Sequence, residues 1–419
     1  MKRLFFIPVI IMLLSALILG SCAKTTPTPT ATKPTTSVPP TTTAPLPPIK
    51  IGHLVNLTGP EAMVGGMQKT SLEATFSVNS SIGSSILGRP VQIIIGDAGG
   101  EPATAVDVAR KMVEQDKVVA IFGPTEIGQK FAVADYCKQA GIPLILYNPS
   151  PTSILADNQW VIATGGTNDQ YPSCMGDYLY THLGYRTITT MTEDNDAGRG
   201  FMDPLTKVFT AEGGTVIQQQ WFAEDTADYA SYLTAAKSAD AIVAWTSGDS
   251  AIKLLSQYHQ LGIDKKMPIE GAFHGGFLDP FVPLGMDPAD AAAIVGATCP
   301  MEWAPDSQDP ANQDFLNVLT PLVSFPPGDD ASSGPYQAAL LFVAAVKSTN
   351  GDTTPAKLLA ALKSVSIVGP EGPMSLNGQG AATMNIYILK VDKVPNVNAY
   401  HYTTVYTYQN VPPTGYTPK

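Results

Sequence analysis

From Ile49 onward, short apolar runs alternate with amphipathic stretches, and this alternation constrains the fold more than any other property of the chain. Ile49 to Val55, Val91 to Gly96, Val118 to Phe122 and Pro143 to Tyr147 read as strands. Helical stretches separate them: about Gly65 to Asn79, Ala103 to Gln115, and from the Gly123-Pro124 break to Gln139. In the second of these, Val106, Ala109 and Val113 with neighbouring Met112 supply an apolar stripe. Val118 to Phe122 is wholly apolar, as expected of a parallel strand covered on both faces. Strand–helix alternation at this spacing predicts βαβ units and a parallel sheet.

The pattern pauses around Trp160 to Gly166 and then restarts. A helix near Tyr171 to Leu183 leads to the strand Thr187 to Met191 and the loop Glu193 to Gly200. A helix over Phe201 to Glu212 and a strand over Thr215 to Gln219 follow. Next come a helix around Tyr229 to Ala236, the strand Ala241 to Trp245, a helix over Ser250 to Leu261 and a strand over Pro268 to Ala272. A second α/β lobe of similar size is expected. After Ala297 the chain returns to helices, roughly Ala311 to Leu322, Gly334 to Thr349 and Pro355 to Ser364. The last is expected to be capped by Thr353 or Thr354, with proline in its first turn. Met374 to Leu376 and Asn385 to Val391 are strand-like, and the tail from Val394 reads as irregular around a strand at Tyr400 to Tyr408. Ligands of open α/β sheets sit beyond the carboxyl ends of the strands, so two such lobes place a site in the cleft between them.

About 370 residues follow Pro48, a length that suggests two domains. An apolar fraction of 44% with only 15% charged residues indicates a packed globular protein. The formal charge of −11 argues against nucleic-acid binding, which needs clustered Lys and Arg, and no basic run occurs. Cys137, Cys174 and Cys299 show no CxxC spacing; at most one pair could form, and three small buried hydrophobes are the simpler reading.

The N-terminus is of a different character. Lys2 and Arg3 precede the apolar run Leu4 to Leu19, which ends in Leu19-Gly20-Ser21-Cys22. A basic start, an apolar middle and small residues before a cut site describe a secretory signal peptide over residues 1–21. The ending also resembles the bacterial lipobox, in which the cysteine, here Cys22, is lipidated and becomes the mature N-terminus. Loss of Lys2 and Arg3 with the signal would take the charge from −11 to −13. The alternative is an uncleaved anchor, since the run is near the lower limit for spanning a bilayer. Residues 22–48 are almost entirely Thr, Pro, Ala and Lys, too poor in apolar surface to fold. Their prolines favour a semi-stiff tether reaching on the order of 80 Å when extended. No second apolar stretch long enough to span a membrane follows.

Ile49 to Val55 followed by Asn56-Leu57-Thr58-Gly59-Pro60 resembles the opening strand and loop of the branched-chain amino-acid-type substrate-binding proteins of ABC importers. Gly88-Arg89-Pro90-Val91 with Asp97-Ala98 and Pro102-Ala103, then Ala120-Ile121-Phe122-Gly123-Pro124 and Ala140-Gly141-Ile142-Pro143-Leu144-Ile145, continue the likeness in order. Asp194 to Gly200, Asp240-Ala241-Ile242, Gly334-Pro335-Tyr336 and Gly369 to Gly380 extend it to about Val391. The resemblance implies a periplasmic-binding-protein type I fold, with two doubly wound parallel-sheet lobes joined by three crossover strands and closing on a ligand. It implies lobe 1 over 49–165 and 298–369, lobe 2 over 166–297 and 370–408, and an irregular tail over 409–419. It also implies delivery to ABC permease subunits, no catalysis and no cofactor; a monomer is expected.

The ligand contacts this resemblance implies are mostly altered. Where the family offers a serine after Gly123-Pro124, this chain has Ile127, leaving the backbone amides of Gly128 and Gln129. The loop Asn148 to Ser153 keeps the family's small-residue character, so Thr152 would donate its hydroxyl with help from Ser150; N–H and O–H groups at helix starts make an anion or carbonyl cradle. The alternative is that these residues merely cap helices. On the second lobe Ala197 and Ser247 replace tyrosines, and the acid that grips an α-ammonium group would fall near Phe273, beside His274. A buried ammonium needs a carboxylate, so an ordinary α-amino acid is disfavoured unless a register slip lets Glu270 or Asp279 serve. His274 could bond a carboxylate or carbonyl. Phe273 and Trp245 could face a ring, although core packing suits Trp245 better.

The expected function is therefore a lipid-anchored extracytoplasmic receptor for a small carboxylate or amide, possibly aromatic, with a sensory receptor of the same fold as the alternative. An enzyme is disfavoured: Thr246-Ser247-Gly248-Asp249-Ser250 is not a GxSxG elbow, and His53, His182, His259, His274 and His401 show no metal spacing.

Overall fold

The two alternating segments each build a parallel sheet. The computed structural model describes residues 46–59, 61–156, 158–224, 226–274, 287–322, 330–395 and 400–418. Side chains at 247–249, 272–274 and 330–331 are outside that description. The signal, Cys22 and all of the tether but Leu46 to Pro48 also lie outside the described residues.

The first segment runs β1 (Ile49–Val55), α1 (Ala62–Thr75), β2 (Ser85–Ile86), β3 (Arg89–Asp97), α2 (Pro102–Lys111), β4 (Ile121–Phe122), α3 (Ile127–Ala140), β5 (Leu144–Leu146), α4 (Ser153–Ala156) and β6 (Val161–Ala163). The sheet order is β2-β3-β1-β4-β5-β6, parallel except for the β2–β3 hairpin. Helices cover both faces, which is why β1 is buried along nearly its whole length. The apolar run from Val118 is registered as a strand only at Ile121–Phe122, yet its backbone already bonds to β1 through Val119 N to Lys50 O at 2.8 Å.

The second segment runs α5 (Gln170–Thr181), β7 (Thr187–Glu193), α6 (Asp196–Ala211), β8 (Thr215–Phe222), α7 (Ala230–Ala235), β9 (Ala241–Ser247), α8 (Gly248–Gln260), β10 (Ile269–His274) and α9 (Pro288–Ala293). Its sheet has the order β10-β9-β7-β8 and is all parallel.

The remaining chain makes β11 (Thr298–Met301), α10 (Pro310–Leu319), α11 (Asp330–Ser348), α12 (Pro355–Ser364), β12 (Ser366–Gly369), β13 (Gly372–Leu376), β14 (Ala382–Lys393) and β15 (Tyr400–Val411). Helices α10 and α11 pack on α1 of the first lobe, so the chain returns there. Trp303, Phe315 and Tyr336 fill this contact edge to face, with centroid spacings of 5.7 and 5.3 Å. Strands β11 to β15 form a third sheet in which every pairing is antiparallel.

Several expectations need correction. At 298 the chain makes β11 rather than turning directly to helices, and Pro300 suits the end position that β11 takes in its sheet. The pause at Trp160 to Gly166 contains the short strand β6. The tail is more regular than expected, because β15 pairs with β14 as far as Val411 and so takes in residues 409–411. The Asp306 carboxylate accepts from the backbone N and hydroxyl of Thr404 on β15, covering part of that strand's free edge. At the start of α12 the Thr354 hydroxyl bonds to Asp352 instead of capping the helix.

One side chain ties three segments together. Gln170 Oε1 accepts from Thr167 N at 2.7 Å, and its Nε2 donates to Ala382 O of β14 at 3.1 Å and Val411 O of β15 at 2.9 Å. Beyond β15, Pro413 O accepts from the Thr167 hydroxyl and Tyr416 N donates to Ser173 Oγ, fixing the tail on α5.

Cys137, Cys174 and Cys299 are buried and form no disulfide, as the simpler reading held. Trp245 is buried in the main hydrophobic cluster, which favours its packing role. No helix among the described residues is long and apolar enough to cross a membrane.

Candidate ligand-binding site

Strand order locates the crevice in each lobe. In the first sheet β3 and β4 flank β1, so the connections leave in opposite directions at the β1/β4 boundary. In the second, β8 and β9 flank β7 in the same way. Such switch points open a crevice at the carboxyl ends of the strands.

At the first crevice, Asn56 follows β1 and Glu126 precedes α3. Asn56 Nδ2 donates to Glu126 Oε1 at 2.7 Å, and Gln129 Nε2 donates to Asn56 Oδ1 at 3.1 Å. Burial pushes the Glu126 carboxyl up to about 7, helped by the charges of Glu61, Glu224 and Glu101 and opposed by the Asn56 bond. Glu224, one of these acids, follows β8 in the second sheet. The loop after β1 is organised by Asp97 at the end of β3, which accepts from Leu57 N, the Thr58 hydroxyl and Gly99 N at 2.8–3.0 Å. Burial works to raise the Asp97 carboxyl, but these donors together bring it below its ordinary value.

A second network lies behind this edge. Gln68 of α1 accepts from Thr125 Oγ1 at 2.7 Å and Tyr147 OH at 3.2 Å, and its Nε2 donates to Asn148 Oδ1 at 3.1 Å. His53 contacts Tyr147 OH at 2.9 Å, and burial, with the Lys69 charge, drives its imidazole down to about 3, so the ring is neutral. Buried Lys130 donates to Pro149 O at 2.6 Å and Asn148 O at 3.4 Å, bracing the loop after β5. Lys130→Met leaves these buried carbonyls without that donor; a loss of about 1–3 kcal/mol in urea unfolding and weaker ligand binding by calorimetry are expected. Unchanged values would show that the brace is dispensable.

The second crevice holds buried Glu193 at the end of β7. It accepts from the Thr246 hydroxyl and, at 3.0 Å, from Asn195 Nδ2. Asn195 caps α6 through Gly198 N at 2.8 Å. Arg199 pairs with Asp194 and lies 4.4 Å over the Trp221 ring.

The structure spreads the expected contacts unevenly. Gly128 is exposed in the first turn of α3, while Gln129 is buried against Asn56. Ser150 is turned inward, its hydroxyl on Asn148 O at 3.0 Å, and the Thr152 hydroxyl is taken by Asp169, so neither is a free donor here. Ala197 is half-buried at the start of α6 and packs on the core. Ser247, Phe273 and His274 end β9 and β10, with their side chains outside the described residues. Glu270, the alternative acid, is buried and held by Thr298 N, Thr298 Oγ1 and Tyr185 OH at 2.6–3.0 Å, so it does not serve the cleft; Asp279 lies outside the described residues. Sequence reasoning did not single out Asn56, Glu126, Glu193 and Thr246, which the structure places at the two crevices. The one available signal was their position just past or at the end of predicted strands.

A surface cavity of about 410 Å³ lined by Lys138, Trp160 and Lys363 lies at the amino end of β6, away from both crevices.

The sequence profile of the periplasmic binding proteins matches residues 48–396. The chain belongs to the periplasmic binding protein family. This periplasmic binding protein is 23% identical over 364 residues to a Leu/Ile/Val-binding protein homologue of Brucella melitensis, spanning 84% of this chain and 90% of the relative. Among solved structures, an ABC transporter substrate-binding protein from Sphaerobacter thermophilus superposes with TM-score 0.77 at 25% identity, over 87% of this chain and 98% of that one. A solute-binding protein from R. palustris in complex with 4-hydroxybenzoate gives TM-score 0.75 at 21% identity over the same shares. The two solved structures are a substrate-binding and a solute-binding protein of ABC transporters, and membership of the periplasmic binding protein family implies an extracytoplasmic location.

Proposed function

We propose that this protein is a lipid-anchored receptor, held through Cys22, that captures a small ligand between its lobes and delivers it to an ABC permease. The ligand is a small carboxylate or amide, aromatic ones included, rather than a simple branched-chain amino acid. The observation that carries this reading is the pair of switch-point crevices, β1/β4 and β7/β9, with polar groups at both carboxyl edges. The structural likeness to hydroxybenzoate-bound proteins supports an aromatic ligand. The engagement of Glu270 by Thr298 and Tyr185 supports the exclusion of an α-amino acid gripped on the second lobe. Closure follows from higher ligand affinity in the closed state.

Thermal-shift screening tests the reading, because an occupied cleft adds RT ln(1 + [L]/Kd) to stability. Aromatic acids or amides are expected to raise the melting temperature while leucine and valine leave it nearly unchanged. Tight leucine binding would overturn the ligand assignment. Mass spectrometry of the co-purifying molecule would identify the cargo directly.

A further inference from the structure

The first crevice is rich in acceptors, and this bears on which ligand head it takes, an inference that rests on the solute-binding reading. Three adjacent strands, β3, β1 and β4, run into helices whose N-cap is a glutamate: Glu101 before α2, Glu61 before α1 and Glu126 before α3. None of the three caps its helix through the side chain. Glu224 adds a negative charge from the second lobe. Among the described residues, no Lys or Arg forms an ion pair with Glu101, Glu126 or Glu224.

A separate observation points the same way. Gln129 is fully buried, and its amide nitrogen is spent on Asn56, whose own amide nitrogen is spent on Glu126. Gln129 Oε1 is left as a buried acceptor with no hydrogen-bond donor among the described residues. It stands one side chain behind the Glu126 carboxylate, at the switch point where a ligand sits. Buried acceptors demand donors, and clustered carboxylates demand a cation or a proton.

We propose that the ligand head seated against the β1/β4 crevice is a planar N–H donor, an amide or an amidinium, and that a bare carboxylate is disfavoured there. Of the two heads in the general reading the acidic rim disfavours the carboxylate, and it widens the amide side to its cationic analogue, the amidinium. The groups that act on Glu126 include Asn56 after β1, Glu61 before α1, Glu101 before α2 and Glu224 after β8, with Gln129 on α3 behind Asn56. Of these only Asn56 donates to it, so at pH 8 the carboxylate is ionised and repels an anion. Near pH 6 its proton can be offered to a carboxylate ligand.

Benzamidine, benzamide and benzoate share one shape and differ in head charge, so calorimetry with the three at pH 8 and pH 6 reads the selection. At pH 8 benzamidine is expected to bind about tenfold tighter than benzoate, with benzamide between, and the gap should narrow at pH 6 as benzoate gains. Glu126→Gln should lower the benzamidine-to-benzoate ratio about tenfold and remove most of its pH dependence. Glu224→Gln, an exposed change on the other lobe, should move the ratio the same way by a smaller factor. Benzoate binding tightest at pH 8, absent benzamidine binding, or a ratio unmoved in both variants would overturn the inference. The first of these leaves the solute-binding reading intact, whereas leucine as the tightest ligand in the thermal-shift screen would remove the ligand assignment itself.

Discussion

Gly65→Ala is expected to destabilise the protein by about 3 kcal/mol and to weaken ligand binding, while the same change at Gly66 stabilises it by about 0.5–1 kcal/mol. Both glycines lie in α1, and neither has the positive φ that would forbid a side chain. They differ in what a Cβ would meet. At Gly65 it would lie 1.8 Å from Asn56 O and 2.6 Å from Asn56 C, backbone atoms that cannot move aside. At Gly66 nothing lies within 4 Å. Relief of the clash at Gly65 must push α1 away from the segment after β1, and that segment carries the Asn56 amide bonded to Glu126. Urea unfolding and ligand calorimetry on the two variants check this together. Equal effects at the two positions would refute the close approach of α1 to Asn56.

The second large effect is a pH dependence. Burial raises the Glu270 carboxyl to about 7, against the opposing donors Thr298 Oγ1, Thr298 N and Tyr185 OH. Its folded-state value thus lies above the ordinary 4.5, so the folded protein holds this proton more tightly than the unfolded chain. The associated stability is fully present below about pH 4.5 and is lost as pH rises towards 7. By linkage the loss is about 3 kcal/mol. Glu270→Gln stays uncharged; its amide oxygen can accept from Thr298 N and Oγ1 while its NH2 faces the Tyr185 hydroxyl, which can turn to accept. Its stability relative to the wild type should therefore rise by about that amount between pH 4 and pH 8. Denaturant midpoints at the two pH values measure it, and a constant difference would show that Glu270 does not bear this proton.

Much of the fold was legible because each lobe repeats one pattern, an apolar strand followed by a helix with one apolar face. Strands β1, β3, β5, β7 to β10 and β14 lie within or beside the runs expected for them. Strands β6 and β11 were not legible, because three or four residues are too few to show a period, and Pro300 in β11 reads as a breaker. The site was less legible than the fold. Asn56 and Glu126 are 70 residues apart, and Thr246 and Glu193 are 53 apart, so their bonds exist only once the sheets have set the strand order. At Ser150 and Thr152 the loop lies where family position puts it, and Asn148 O and Asp169 take its hydroxyls. A sequence position reports where a side chain starts, not which partner it finds.

The Gln170 clamp carries a mechanical meaning. A single amide holds the chain at Thr167, the start of β14 and the end of β15, and the tail beyond is fastened to α5. Neither β14 nor β15 can slide along α5 without breaking the bond that Gln170 makes to its end. In the closure proposed above, Gln170 is then expected to act as a riveted pivot, so that the travel for gripping cargo is angular rather than linear.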